Sequence, residues 1–345
     1  MKRTVLGLSL LGVFSFAEAQ TKAFSHLDVG ETVGSMGIGI DIGTPLCDYV
    51  QVRTGFTYMP RFSIKSHFRV ETGSGMPVSQ SGMEKVTKMI GQITNMQVDD
   101  QVDMNLRPKF TQFKFMVDVF PFKQNKHWRA TVGFFAGKSR IGIAENATED
   151  APTLLGVAMY NYFYVNSCRQ ESMFGDIQMG QTQLPNVQLD ATYLAKGMMG
   201  MPIGHFADGS KAMLVPDSKG MVVAEMQVSK FRPYVGVGYE TAMSKDHRWR
   251  FALDAGVMMW GGRPKVYVDN VYKIDTDNVD PDNYRYDIVR PNADESDFVV
   301  DEPLDHVDLV GDLTGINGKV GDMVKAVSHL KCYPNLNITF SYRIK

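Results

Sequence analysis

The sequence predicts an all-β chain with helical loop insertions: a transmembrane, antiparallel, up-and-down β-barrel of eight strands. Three observations predict it. Apolar and polar residues alternate in repeated segments of strand length. Glycine gathers on the polar side of that alternation. An export signal opens the chain, and no later apolar run approaches the roughly 20 residues that a spanning helix needs.

Lys2 and Arg3 form a basic start, VLGLSLLGVFSF is an apolar core, and Ala17-Glu18-Ala19 is a small-residue cleavage site. Residues 1–19 therefore read as a signal peptide, and 20–345 as a single barrel domain. Removing Lys2, Arg3 and Glu18 takes the 36 basic and 38 acidic residues to 34 and 37. A balance this close to neutral gives no reason to expect a nucleic-acid partner. The mean hydropathy of −0.17 excludes a helical membrane bundle but not a barrel, whose lumen and loops are polar.

The strands follow in chain order. In GSMGIGIDIG (34–43), Met36, Ile38, Ile40 and Ile42 alternate with Gly37, Gly39, Asp41 and Gly43. In YVQVRTGFTYM (49–59), Val50, Val52, Phe56 and Tyr58 alternate with Gln51, Arg53, Gly55 and Thr57. FTQFKFMVDVF (110–120) sets Phe113, Phe115, Val117 and Val119 against Gln112, Lys114, Met116 and Asp118. RATVGFFAG (129–137) sets Val132 and Phe134 against Arg129, Thr131 and Gly133. FRPYVGVGYE (231–240) sets Phe231, Val235, Val237 and Tyr239 against Arg232, Tyr234, Gly236, Gly238 and Glu240. RFALDAGVMMW (250–260) sets Phe251, Leu253, Val257 and Met259 against Asp254 and Gly256. NLNITFSYRIK (335–345) sets Leu336, Ile338, Phe340, Tyr342 and Ile344 against Asn335, Asn337, Thr339, Ser341 and Arg343. Each is close to the 9–11 residues of a tilted membrane-crossing strand. These are seven; an even barrel needs one more. FSHLDVGETV, where Leu27, Val29 and Val33 alternate, and the 205–230 segment (MLVP, MVVAEMQV) compete for it.

Period 2 does not say which face points inward. Glycine does. A glycine on a solvated outer face weakens a strand, whereas inside a narrow barrel it makes room for long neighbours. The polar face therefore lines the lumen. There Asp41, Asp118, Glu240 and Asp254 meet Arg53, Lys114, Arg129, Arg232 and Arg343. Mixed, nearly balanced charge is what a closed interior requires, because buried charges must be paired. The expectation is a lumen plugged by this network.

TPLCDY, FKQNKHW and SKDHRW are short hairpin connections. Short turns in such barrels face the periplasm, and Tyr49, Phe122, Trp128 and Trp249 are the expected aromatic girdle at that boundary. The long external loops fall at about 70–108, 142–228 and 270–333. Two carry helical stripes: Met83, Val86, Ile90, Ile93 and Met96, then Leu304 through Leu330 with glycines at 315, 318 and 321 that predict a break. Met173, Met179, Met198, Met199 and Met201 predict either a soft apolar surface in the middle loop or the core of a small loop subdomain, the commoner outcome. Of the 3 cysteines, Cys168 and Cys332 are candidates to pair with each other.

No catalytic or metal-binding signature is present. None of the 7 histidines has ligand spacing with another. DTDNVDPDNYRYD (275–287) lacks the central glycine and terminal glutamate of a calcium loop and reads as a solvated acidic loop. GSMGIG precedes no helix and is not a phosphate loop. The expectation is a chain without cofactor or enzymatic activity.

The chain resembles the small outer-membrane β-barrel proteins of Gram-negative bacteria. The likeness lies in GSMGIGIDIGTPL with YVQVRTGF, in FKFMVDVFPF, in FRPYVGVGYE with RWRFALDAGVMMWGGRPKVYV, and in CYPNLNITFSYRIK. It implies an outer-membrane location, lipid and the barrel-assembly machinery as partners, and Phe340, Tyr342 and Ile344 as the C-terminal assembly signal. Two departures stand out: Ile344-Lys345 replaces the usual terminal aromatic, and the middle loop is long. The family is largely without assigned activity. The leading reading is a non-enzymatic scaffold whose loops meet a ligand or partner outside the cell. A narrow pore for a small or apolar solute is the alternative, and a hydrolase or acyltransferase sited at the rim is the third.

Overall fold

Eight strands close into one antiparallel barrel: β1 (Leu27–Gly34), β2 (Gly37–Cys47), β3 (Val50–Tyr58), β4 (Thr111–Val119), β5 (Trp128–Gly137), β6 (Phe231–Ala242), β7 (Trp249–Met259) and β8 (Cys332–Ile344). Each pairs with its neighbours in sequence order, and β1 closes on β8 with Leu27 opposite Ile344 and Gly34 opposite Asn337. The computed structural model describes residues 23–69, 71–72, 101–122, 125–169, 178–179, 182–183, 197–274, 288–291 and 298–344. The signal segment, the stripe from Met83 to Met96, Met173 and the acidic loop 275–287 lie outside these.

The seven alternating segments are all barrel strands. The eighth place goes to LDVGETV rather than to the 205–230 segment. The turn after it, Ser35-Met36, brings Gly37 to φ +99°, a conformation that favours glycine. The β2–β3, β4–β5 and β6–β7 turns share one end of the barrel with Leu27 and Ile344. The long connections leave from the other end.

Among the described residues those connections carry the expected helical insertions together with strands that the sequence reading did not anticipate. The barrel wall continues past its rim. Ile64–Arg69, Gln101–Pro108, Arg140–Asn146, Val223–Gln227 and Lys265–Val268 pair in that order, extending the β3-β4-β5-β6-β7 arc, and Val307–Asp308 adds an edge. Alternation at these short strands escapes notice because Lys109-Phe110 and Lys138-Ser139 interrupt it at the rim. A second sheet, Glu71–Thr72, Met199–His205, Lys211–Leu214 and Val271–Ile274, carries part of a separate apolar core. Met198 and Met199 belong to that core and are fully buried, which is the subdomain-core reading rather than the soft surface.

Two helices complete the described residues: α1 (Ala151–Cys168) and α2 (Gly318–His329). The sequence reading missed α1. Its turns are apolar nearly all round and offer no stripe. Leu154, Val157, Tyr160 and Tyr164 are buried, and the Asn161 amide exchanges two hydrogen bonds with the Met199 backbone, at 2.8 and 2.9 Å. The stripe from Leu304 is helical only from Gly318. Before it, Val307–Asp308 is strand, and His306, Gly315 and Gly318 have φ near +60°. No disulfide joins Cys168 to Cys332: Cys168 is buried at the end of α1, and Cys332 is exposed at the start of β8. None of the described helices is long and apolar enough to cross a membrane.

Candidate functional site: the charged lumen and its apolar seal

Strand alternation turns two different surfaces apart. Outward, Ile40, Phe56, Val132, Val237, Leu336 and Phe340 stand 48–59 % exposed. Inward, Asp118, Thr131, Arg129 and Asp254 are at most 4 % exposed. Water-soluble folding would bury the first set and expose the second. Glu31 of β1 is the charged exception among the outward strand positions, set between Ile40 and Phe340.

Inside, five carboxylates face five cations. Lys114 Nζ lies 2.7 Å from Asp41, which also accepts the Thr32 hydroxyl at 2.7 Å. Arg53 grips Asp118 in a two-pronged contact at 2.5 and 3.0 Å and reaches Asp254 at 3.2 Å. Arg129 bonds Asp254 at 2.8 Å and also bonds Glu240. Arg250 holds the other Glu240 oxygen. Across the closing seam, Arg343 takes both oxygens of Asp28 at 2.8 Å. A void of about 20 Å³ lies among Asp28, Asp41, Arg53, Arg129 and Glu240, on the order of room for one water.

This arrangement amends the expected membership. Asp41, Arg53, Lys114, Asp118, Arg129, Glu240 and Asp254 come together, and Arg343 pairs apart from them at the seam. Arg232 joins no carboxylate. It sits toward the loop end and donates to Gln112 Oε1 at 2.7 Å, to the Ser229 carbonyl at 2.7 Å and to the Lys138 carbonyl. Asp28 and Arg250 were missed. Asp28 shows a signal, since it precedes the alternating Val29 on the inward phase. Arg250 stands at the edge of its strand, where phase is weak evidence.

Glycine provides the space. A Cβ at Gly55 would overlap Asp41 and approach Lys114, and one at Gly238 would overlap Asp254 and Arg129. Gly236 and Gly256 face each other across β6 and β7, and the Tyr234 ring lies over both. Aromatic cover of paired glycines is a sheet-stabilising device.

Above the ion pairs the lumen turns apolar. Met36, Phe110, Met116, Phe135, Tyr234, Met258 and Trp260 form one buried cluster at the loop end. Phe135 meets Tyr234 edge-on at 5.6 Å, and Trp260 packs between Phe110 and Tyr333 at 6.2 and 5.6 Å. Sequence reasoning overlooked this seal because aromatics on an inward phase look like breaks in the pattern.

Tyr49, Phe122, Trp128 and Trp249 all lie at the short-turn end and are 37–56 % exposed. Trp128 packs edge-on with Tyr239 at 5.2 Å, and Trp249 with Tyr342 at 5.1 Å. Phe340, Tyr342 and Ile344 share the outward phase of β8, where Phe340 packs on Phe251 at 5.3 Å.

No protein-family model and no curated protein matches the chain. Two crystal structures from Acinetobacter baumannii are similar. For CarO2 the identity is 10 %, 94 % of this chain and 100 % of that one are covered, and the TM-score is 0.37. For CarO the identity is 9 %, with 91 % and 96 % covered and a TM-score of 0.34. Likeness at this level carries no argument about activity or ligand.

Proposed function

We propose that this chain is a non-enzymatic outer-membrane protein: a closed, charge-plugged barrel serves as anchor, and the domain above the rim serves structural or binding roles. One observation carries the reading: hydrocarbon on the outside of the barrel, paired ions on the inside. Lipid accepts the first surface at no cost. The second argues against an aqueous channel, because moving a solute through it would break several buried ion pairs together. On this reading the short turns face the periplasm, and Tyr49, Phe122, Trp128 and Trp249 lie at the inner boundary. Phe340, Tyr342 and Ile344 are then what the assembly machinery reads.

Purified protein in planar bilayers is expected to give no steady ionic current. A reproducible unitary conductance would instead favour a narrow pore. Location is tested separately by fractionation and by a heat-dependent shift in gel migration. Glu31→Leu supplies an independent check. In lipid the change removes an exposed acid from the apolar face, so the urea midpoint in vesicles is expected to rise. An unchanged or lowered midpoint counts against lipid at that face.

A further inference from the structure

Where the chain crosses the loop-end rim it carries cations and no acids. Arg61 follows β3, Lys109 precedes β4, Lys138 follows β5, Lys230 precedes β6, Arg263 follows β7 and Lys331 precedes β8. All of them are exposed. The segments that hold them, 58–65, 107–111, 136–140, 227–231, 259–265 and 330–334, contain neither Asp nor Glu. Arg107 and Arg140, in the same segments, are already bound to Glu145 and Glu225 higher on the wall. The rim cations themselves have no ion-pair partner among the described residues.

Barrel closure sets these distant residues at one level. The Met59 N–H donates to the Phe110 carbonyl at 2.8 Å, that of Lys109 to Ile141 at 2.7 Å, and that of Gly137 to Lys230 at 3.0 Å. The Ser229 N–H donates to the Trp260 carbonyl at 3.1 Å, and that of Trp260 to Lys331 at 3.3 Å. Each bond joins neighbouring crossings, so the cations form one arc from β3 to β8. The uncharged β1–β2 turn at Ser35-Met36 leaves the gap.

The arc starts where the outward hydrocarbon stops. Lys109 continues the phase of exposed Phe113, Lys230 adjoins exposed Phe231, and Arg263 follows exposed Met259 on its phase. A lysine stem lies along such a surface and holds its ammonium beyond it. The short-turn end is different in kind. There Lys126 lies 3.8 Å from Asp48, and Arg248 lies 3.7 Å from Asp246. Like charges in an acid-free arc repel one another until an anion arrives. A soluble anion would meet the charge alone. A molecule with an anionic head and a hydrocarbon tail meets the arc and the apolar face together.

From this juxtaposition we infer that the rim arc binds lipids whose headgroup phosphate has no covering cation of its own, as in an anionic phospholipid or a phosphorylated glycolipid. The inference deepens the anchoring role proposed above and rests on the lipid-facing orientation of the barrel.

The test is electron paramagnetic resonance of acyl-chain spin-labelled lipid around the full-length protein in phosphatidylcholine nanodiscs. The motionally restricted fraction reports relative affinity. Labelled phosphatidic acid is expected to be enriched about fivefold over labelled phosphatidylcholine. Salt at about 1 M, where charge acts over only about 3 Å, is expected to remove most of that preference. Lys109→Gln, Lys138→Gln and Lys230→Gln together are expected to lose most of it, and the same three changed to Arg to keep it. Arg61→Gln with Lys331→Gln, at the two ends of the arc, tests the charge independently and is expected to lose part. Lys126→Gln with Lys245→Gln, at the short-turn end, is expected to change nothing. Equal restriction of the two lipids, or a preference that survives both sets of Gln variants, would overturn the inference. Inorganic phosphate that abolishes the preference at constant ionic strength would reassign the arc to a free anion and overturn the lipid assignment. No restricted lipid of either kind would overturn the membrane reading itself, and the inference with it.

Discussion

Arg129→Leu is expected to destabilise the barrel by about 3–5 kcal/mol. Arg129 is 3 % exposed and ties Glu240 to Asp254. Leucine fills much of its volume but leaves the ion-paired set with one more carboxylate than cations, and a void of about 20 Å³ cannot hydrate the excess. Arg53 still reaches Asp254 and Arg250 still holds Glu240, which keeps the loss from being larger. The measurement is the urea midpoint of heat-dependent gel migration in vesicles. Arg129→Leu combined with Glu240→Gln restores charge balance and is expected to recover part of the loss, because the two sites are coupled. A single variant that unfolds at the parental urea concentration would show that the ion pairs do not hold the barrel.

Trp260→Ala is expected to cost a similar amount, about 3–5 kcal/mol, by leaving a hole where the seal meets the outer domain. Trp260 is 2 % exposed and packs against Phe110 and Tyr333. Trp260→Phe keeps part of that packing and is expected to lose much less. The two predictions are separable. Arg129 acts through charge balance and its effect falls on barrel unfolding; Trp260 acts through packing at the rim. Calorimetry resolves which transition each variant moves, and a Trp260→Ala protein as stable as the parent would mean that the seal relaxes freely around the gap.

The barrel strands were legible because an apolar outer face on one side and a narrow polar lumen on the other impose period 2 without interruption. Ile38, Ile40 and Ile42 against Gly39, Asp41 and Gly43 is such a record. The inward charges were legible for a related reason: an unpaired charge among apolar side chains is costly, so Arg53, Lys114, Asp118 and Asp254 fall on the phase opposite the apolar residues. Partner choice was not legible. Arg232 follows the same phase as Glu240, yet at the loop end it meets Gln112 and two carbonyls. Asp28 finds Arg343 through closure between residues 315 apart in sequence. The outer domain was least legible. Helix α1 shows no stripe because apolar Met159 and Tyr162 stand on its exposed side while Leu154, Val157, Tyr160 and Tyr164 are buried. The wall strands from Ile64 to Val268 are short and polar at their rim junctions.

Local alternation thus carries seven of the eight barrel strands, their outward and inward faces and most of the buried charges, because each follows from a residue and its immediate neighbours in an extended chain. Which charges meet and how the wall continues beyond the rim depend on contacts between segments distant in the chain. Those contacts exist once closure has brought β1 to β8 and stacked the outer sheets, and no periodicity along one segment encodes them.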